Sequence, residues 1–161
     1  MNIVIANRQR TRKINLRLLK KIAAGLLDEL KIEHAELGIN LVATPEMTLI
    51  NETFLRHKGS TDVITFDHLN PDFGIGNPEL QLHGELFICV NEAILQARKF
   101  GTRWQSEVVR YIIHGILHLL GHDDSRVAAR RRMKREENRL LRRLPRRFSL
   151  AQPARAIKLV A

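Results

Sequence analysis

Cysteine is nearly absent from this chain. One residue, Cys89, stands in 161, so no internal disulfide forms and nothing points to an oxidising compartment. It lies in the apolar run Leu86-Phe87-Ile88-Cys89-Val90, where a buried, inert thiol is expected. Aromatic residues are also scarce. One Trp, one Tyr and six Phe give no visible platform for stacking nucleic acid bases. Long apolar runs are missing too. The opening Met1-Asn2-Ile3-Val4-Ile5-Ala6-Asn7 is too short in apolar residues for a signal peptide. No stretch approaches the roughly 20 apolar residues of a membrane span. Repeats and linkers are lacking, so a single cytoplasmic domain over residues 1–145 is expected, with a basic, poorly ordered tail over 146–161.

Acidic residues nearly vanish from the last quarter of the chain. Residues 1–125 hold 14 Lys and Arg against 15 Asp and Glu, whereas residues 126–161 hold 13 against 2. The net charge of +10 thus divides into −1 and +11. Arg outnumbers Lys 11 to 2 in the second stretch, and a guanidinium suits bidentate phosphate contact. Such a block attracts polyanions by releasing their counterions. A solvated helix that only aids solubility is the plainer alternative.

Hydrophobic periodicity sketches the elements. Asn2–Ala6 reads as a strand. Asn15 reads as the cap of a helix whose apolar positions Leu19, Ile22, Ala23, Leu26 and Leu30 line one face. Leu37, Ile39, Leu41 and Ala43 alternate as in a half-buried strand. Thr44-Pro45 predicts a capped helix to about Leu55. Strands follow at Thr61–Phe66 and Glu85–Val90, separated by a loop over Asp67–Pro78. Asn91 is expected to cap a helix to about Phe100. The next helix, Gln105–Leu120, is apolar nearly all round and belongs in the core. Gly121 should end it in a left-handed conformation. Ser125 is expected to cap a basic helix that Pro145 stops after Leu144. The fold class is α+β, a small mixed sheet packed with helices.

Chemistry concentrates in His114-Gly115-Ile116-Leu117-His118-Leu119-Leu120-Gly121-His122-Asp123-Asp124. A spacing of four stacks His114 and His118 on one helix face, where both imidazoles can reach one metal ion. Gly121 lets the chain fold back and bring a third ligand from the turn. Two His and one carboxylate leave a position open, as in catalytic rather than structural zinc sites. In zinc peptidases of the His-Glu-x-x-His kind the Glu is the general base. That position is Gly115 here, so a peptidase built on this scheme lacks its base.

The same run resembles the signature of the YbeY endoribonucleases. Thr61-Asp62-Val63-Ile64-Thr65-Phe66 is similar to the family's Thr-Asp-Val-Leu-Ser-Phe strand, and Gly84-Glu85-Leu86-Phe87-Ile88 to its Gly-Asp-Ile strand. The resemblance implies a zinc-dependent, single-strand endoribonuclease of the cytoplasm, acting in 16S ribosomal RNA 3′-end maturation and ribosome quality control on the small subunit. It also implies one zinc ion on His114, His118 and, by offset, Asp124, where the family usually has His. His122 or Asp123 is the alternative third ligand. A carboxylate there lowers the site's charge by one unit, which favours tolerance of manganese or iron. The family often carries an important Arg directly after the aromatic residue that Phe54 matches. Leu55 occupies that slot here, so Arg56 is the candidate catalytic cation, with Lys58 as a substitute. Lys58, Arg130, Arg131 and Arg135 are the candidate RNA contacts. A non-catalytic ribosome-assembly factor with a structural metal is the rival reading, and a metallopeptidase the weaker one.

Overall fold

The computed structural model describes residues 1–69 and 79–148, and the backbone alone over 145–148. Its elements in chain order are β1 (Asn2–Asn7), α1 (Leu16–Glu29), β2 (Ala35–Val42), α2 (Thr44–Ile50), β3 (Val63–Asp67), β4 (Leu82–Cys89), α3 (Val90–Phe100), α4 (Trp104–Leu119) and α5 (Val127–Phe148), with a π-helical turn at Asn51–Leu55 after α2. The sheet order is β1-β2-β4-β3. β1, β2 and β4 run parallel, and β3 closes the edge antiparallel to β4. This is the expected α+β fold with a mixed sheet.

Period-two patterning decides which face is covered. Leu37, Ile39 and Leu41 of β2 and Leu82, Leu86 and Ile88 of β4 are buried, while Glu36, His83 and Glu85 between them keep solvent contact. α4 lies in the core, with Ile112, Ile113, Ile116 and Leu117 no more than 1% exposed. Two glycines set how closely it packs. A Cβ on Gly115 would meet Leu86 Cδ2 at 2.6 Å, and one on Gly84 would meet both Leu119 Cδ2 and the Phe66 carbonyl oxygen at 2.7 Å. A side chain can rotate aside, whereas a carbonyl in the β3–β4 ladder cannot. Gly84→Ala should therefore destabilise by about 1–3 kcal/mol and Gly115→Ala by less, as overpacking does; chemical denaturation of the two variants checks the order.

Several sequence expectations shift at element ends. Asn15 caps α1, accepting from the Leu18 N–H at 3.0 Å. Thr44 is not a cap; it is the first residue of α2, and its N–H donates to Asn91 Oδ1 at 3.2 Å. Asn91 therefore serves the start of α2, and α3 begins at Val90, two residues before the start that an Asn91 cap implies, without a side-chain cap. The helix expected to reach Leu55 is regular only to Ile50. β3 takes in Asp67, and β4 starts three residues earlier than expected, at Leu82. α5 runs through Pro145 to Phe148; the missing proline N–H removes one helical bond without ending the helix. Ser125 does not cap α5, because its hydroxyl donates to Asp123 at 2.6 Å. Residues 70–78 of the expected loop and 149–161 of the expected tail lie outside the described residues. Cys89 is fully buried. No helix among the described residues is long and apolar enough to cross a membrane.

Candidate metal centre

The site starts from the end of α4. Gly121 adopts φ 90°, its N–H donates to the His118 carbonyl at 2.9 Å, and the His122 N–H donates to the Leu117 carbonyl at 3.0 Å. This pair of bonds is a Schellman closure, which turns the chain back over the last helical turn. The returning segment is pinned twice. Asp123 accepts from the Ser125 N–H at 2.9 Å and from its hydroxyl, and these bonds hold its carboxyl below the usual range. The Arg130 guanidinium donates to the Asp124 carbonyl oxygen at 3.1 Å. Asp124 is thereby aimed back at the helix, while His122 and Asp123 are exposed.

Three donor atoms converge. His114 Nε2 and His118 Nε2 lie 3.0 Å apart. Asp124 Oδ2 lies 3.7 Å from His114 Nε2 and 3.5 Å from His118 Nε2. Ligands bonded at about 2.1 Å around a tetrahedral ion sit about 3.4 Å from one another, so these separations fit one ion. The group His114, His118 and Asp124 could hold a metal ion, its ligand atoms all within 4.8 Å of one another.

A residue that the sequence reading passed over orients the first ligand. Glu137 of α5, 5% exposed, has Oε2 3.2 Å from His114 Nδ1. The geometry suits an Nδ1–H donated to the carboxylate, which leaves the Nε2 lone pair facing His118. Arg110, one turn before His114, comes within 3.8 Å of Glu137 Oε1 and 4.0 Å of Glu107 Oε2. Thr102 donates to Glu107 at 2.7 Å. Burial alone would depress the His114 pKa, but the Glu137 hydrogen bond and charge outweigh it and the net shift is upward.

The sign of that shift gives opposite pH effects with and without metal. In the metal-free protein, a raised pKa adds stability below the unfolded-state value, lost as pH rises through the folded value. A bound metal competes with the same proton, so affinity should fall on acidification from a higher pH than for an ordinary imidazole. Melting curves against pH, with and without metal, should slope oppositely through this window.

His114 and Asp124 line a cleft of about 270 Å³, walled by Asp62, Tyr111, Arg130 and Lys134 among others. Burial first, then Asp62 and Glu107, push the Tyr111 hydroxyl pKa up, so it remains a neutral donor. The other expected contacts lie elsewhere. Arg131 and Arg135 are exposed on α5, and Arg56 and Lys58 are exposed after the π-helical turn. Arg56 holds φ 55°, a left-handed conformation uncommon for a residue other than glycine. Asn51 Nδ2 donates to the Gly59 carbonyl at 2.9 Å and closes that loop.

Over residues 4–145 the chain matches the family described as Endoribonuclease YbeY. It belongs to the YbeY endoribonuclease family. Endoribonuclease YbeY of Syntrophotalea carbinolica is 34% identical over 149 residues, covering 91% of this chain and 97% of the relative. The protein of the same name from Myxococcus xanthus is 35% identical over 125 residues. That match covers 78% of this chain and 42% of the relative, so the chain spans under half of that protein's length. The solution structure of TM1509 from Thermotoga maritima superposes with a TM-score of 0.63 at 23% identity, covering 91% of each chain, and shares the fold. The family match and the relatives named Endoribonuclease YbeY support an endoribonuclease role for this chain. Composition marked a pair of residues that includes Glu137, though not its contact with His114. Glu136 and Glu137 are the two acidic residues in the strongly basic stretch 126–161, and one of them is buried.

Proposed function

We propose that this protein is a zinc-dependent endoribonuclease of the cytoplasm that cuts single-stranded RNA, acting in 16S ribosomal RNA 3′-end maturation and ribosome quality control. One ion is held by His114, His118 and Asp124. The observation that carries the reading is the convergence of three donor atoms at a cleft whose wall holds Arg130 and Lys134. Zinc bound there would supply Lewis acidity toward a phosphoryl oxygen and lower the pKa of a coordinated water. Arg130 and Lys134 take the phosphates that flank the scissile bond. Glu137 keeps the proton of His114 on Nδ1. Lys58, Arg131 and Arg135 contribute outlying phosphate contacts. Arg56 is the catalytic cation, and its left-handed backbone at the end of a π-helical turn supports that assignment, because such conformations concentrate at functional sites. A peptidase reading gains no support, since Gly115 stands where the peptidase base would be.

Purified protein, stripped with chelator and reloaded with zinc, manganese or iron, should cut small-subunit ribosomal RNA only when loaded. Binding without cleavage under all three metals would leave an RNA-binding assembly factor instead. Arg56→Ala should lower kcat by about 100-fold, the loss typical of one transition-state donor, with metal content unchanged. A normal rate in that variant would return Arg56 to the solvated surface.

A further inference from the structure

α5 carries two differently equipped flanks. At about 100° per residue, Met133, Glu137, Leu140 and Leu144 share the inward line, and all four are buried. Arg130 and Lys134 sit on the flank that walls the metal cleft. Arg131, Arg135 and Arg142 follow i, i+4, i+11 on the opposite, outward line, with Arg132 and Arg139 beside them. Arg131, Arg132, Arg135 and Arg142 are exposed.

The outward line has lost its counter-charges. Its nearest carboxylate, Glu136, is taken by Arg139 in a two-point contact at 2.5 and 2.9 Å, which also holds the Glu136 pKa down. Asn138 Oδ1 accepts from Arg110 at 3.0 Å. Arg143 reaches away to Glu29 of α1 at 2.7 Å. Among the described residues, Arg131, Arg132, Arg135 and Arg142 form no ion pair. Arg132, Arg135, Arg139 and Arg142, with Glu136 and Asn138, border an open depression of about 470 Å³.

We propose that this outward face is a second RNA-binding site, a track that holds the sugar-phosphate backbone outside the cleft. The inference rests on the endoribonuclease reading and extends it. The class of ligand follows from the donors: fixed, planar guanidinium forks in a row match successive phosphodiesters bidentately. From Arg131 to Arg142 the track is about 16 Å long, enough for several phosphates. Lys134, on the cleft wall, lies nearer to the track around the helix than Arg130 does, so one strand can pass from one to the other. A strand cut at the metal is thereby held by its flank, and affinity grows with flank length.

The test compares the zinc-loaded wild type with R131Q/R135Q/R142Q in binding single-stranded RNAs of increasing length, by fluorescence anisotropy across a salt series. About 0.7 unit of log–log salt slope is lost per phosphate contact on a single strand, so the triple variant should show a slope smaller by about 2 on long RNA. Its affinity deficit should widen with RNA length. The matching lysine variant, which keeps the charge, should retain most of the slope. An unchanged slope, a deficit independent of length, or a lysine variant as weak as the glutamine one would overturn the proposal. Anionic vesicles bound as tightly as RNA would overturn it as well. A slope that falls in a protein that cuts no RNA would sink the endoribonuclease reading and leave the track standing.

Discussion

Alanine at position 118 should bring RNA cleavage down to that of the metal-stripped protein while the fold survives. The expected loss is at least about 10³-fold in kcat/KM, some 4 kcal/mol of transition-state stabilisation. The His118 ring meets His114 Nε2 and Asp124 Oδ2, and its side chain keeps 28% of its exposure. Removing it therefore takes away a ligand without opening the core, which is built from Ile112, Ile113, Ile116 and Leu117 on the other sides of α4. His114→Ala should abolish cleavage equally but cost stability as well. Among the described residues it leaves the buried Glu137 carboxylate with a distant guanidinium at 3.8 Å, and an acceptor stranded that way costs about 1–3 kcal/mol. Metal content by emission spectrometry, thermal melting and cleavage on the two variants separate the effects. Full metal occupancy in His118→Ala would show that the ion sits elsewhere.

How much of this was readable in advance depends on how far apart in the chain the partners lie. The apolar helix, its His pair and the Gly121 turn are local patterns, and each is found where periodicity puts it. Asp124 reaches His114 from ten residues away through a turn that glycine makes possible. Glu137 reaches the same ring from a different helix, 23 residues on, and no short pattern announces that contact. Asn15 held as a cap, whereas two other expected caps failed, one to a distant partner and one to a near one. Asn91 and Ser125 have the right chemistry for a helix start, but tertiary structure gave Asn91 to Thr44, 47 residues away, and Asp123 took Ser125. The basic block was plain from composition. Its division into a cleft wall and an outward ridge needed the buried line of Met133, Leu140 and Leu144 to fix the rotation of α5.

Glu137→Gln and Glu137→Leu should weaken metal binding in a graded series. Carboxylates behind a ligating imidazole set its tautomer and orientation, and losing them costs about 10–100-fold in affinity. Glutamine keeps an oxygen that can accept from His114 Nδ1 but discards the charge, so its loss belongs near the lower figure. Leucine removes charge and acceptor together, frees the ring to turn, and belongs near the upper one. The charge also raises the His114 pKa, so in the metal-free glutamine variant the imidazole should titrate at lower pH than in the wild type. That displacement, read by NMR, reports the lost charge, and the metal-free melting temperature separates it from a merely loosened helix. Arg110 provides the internal control. It keeps Glu107 on its own helix and its 3.0 Å hydrogen bond to Asn138 of α5, so in Glu137→Gln α5 stays docked. Metal affinity that drops while the melting temperature of the metal-free protein barely moves would place the role of Glu137 at the ring of His114. A melting temperature that collapses with it would place that role in the packing of α5 on α4.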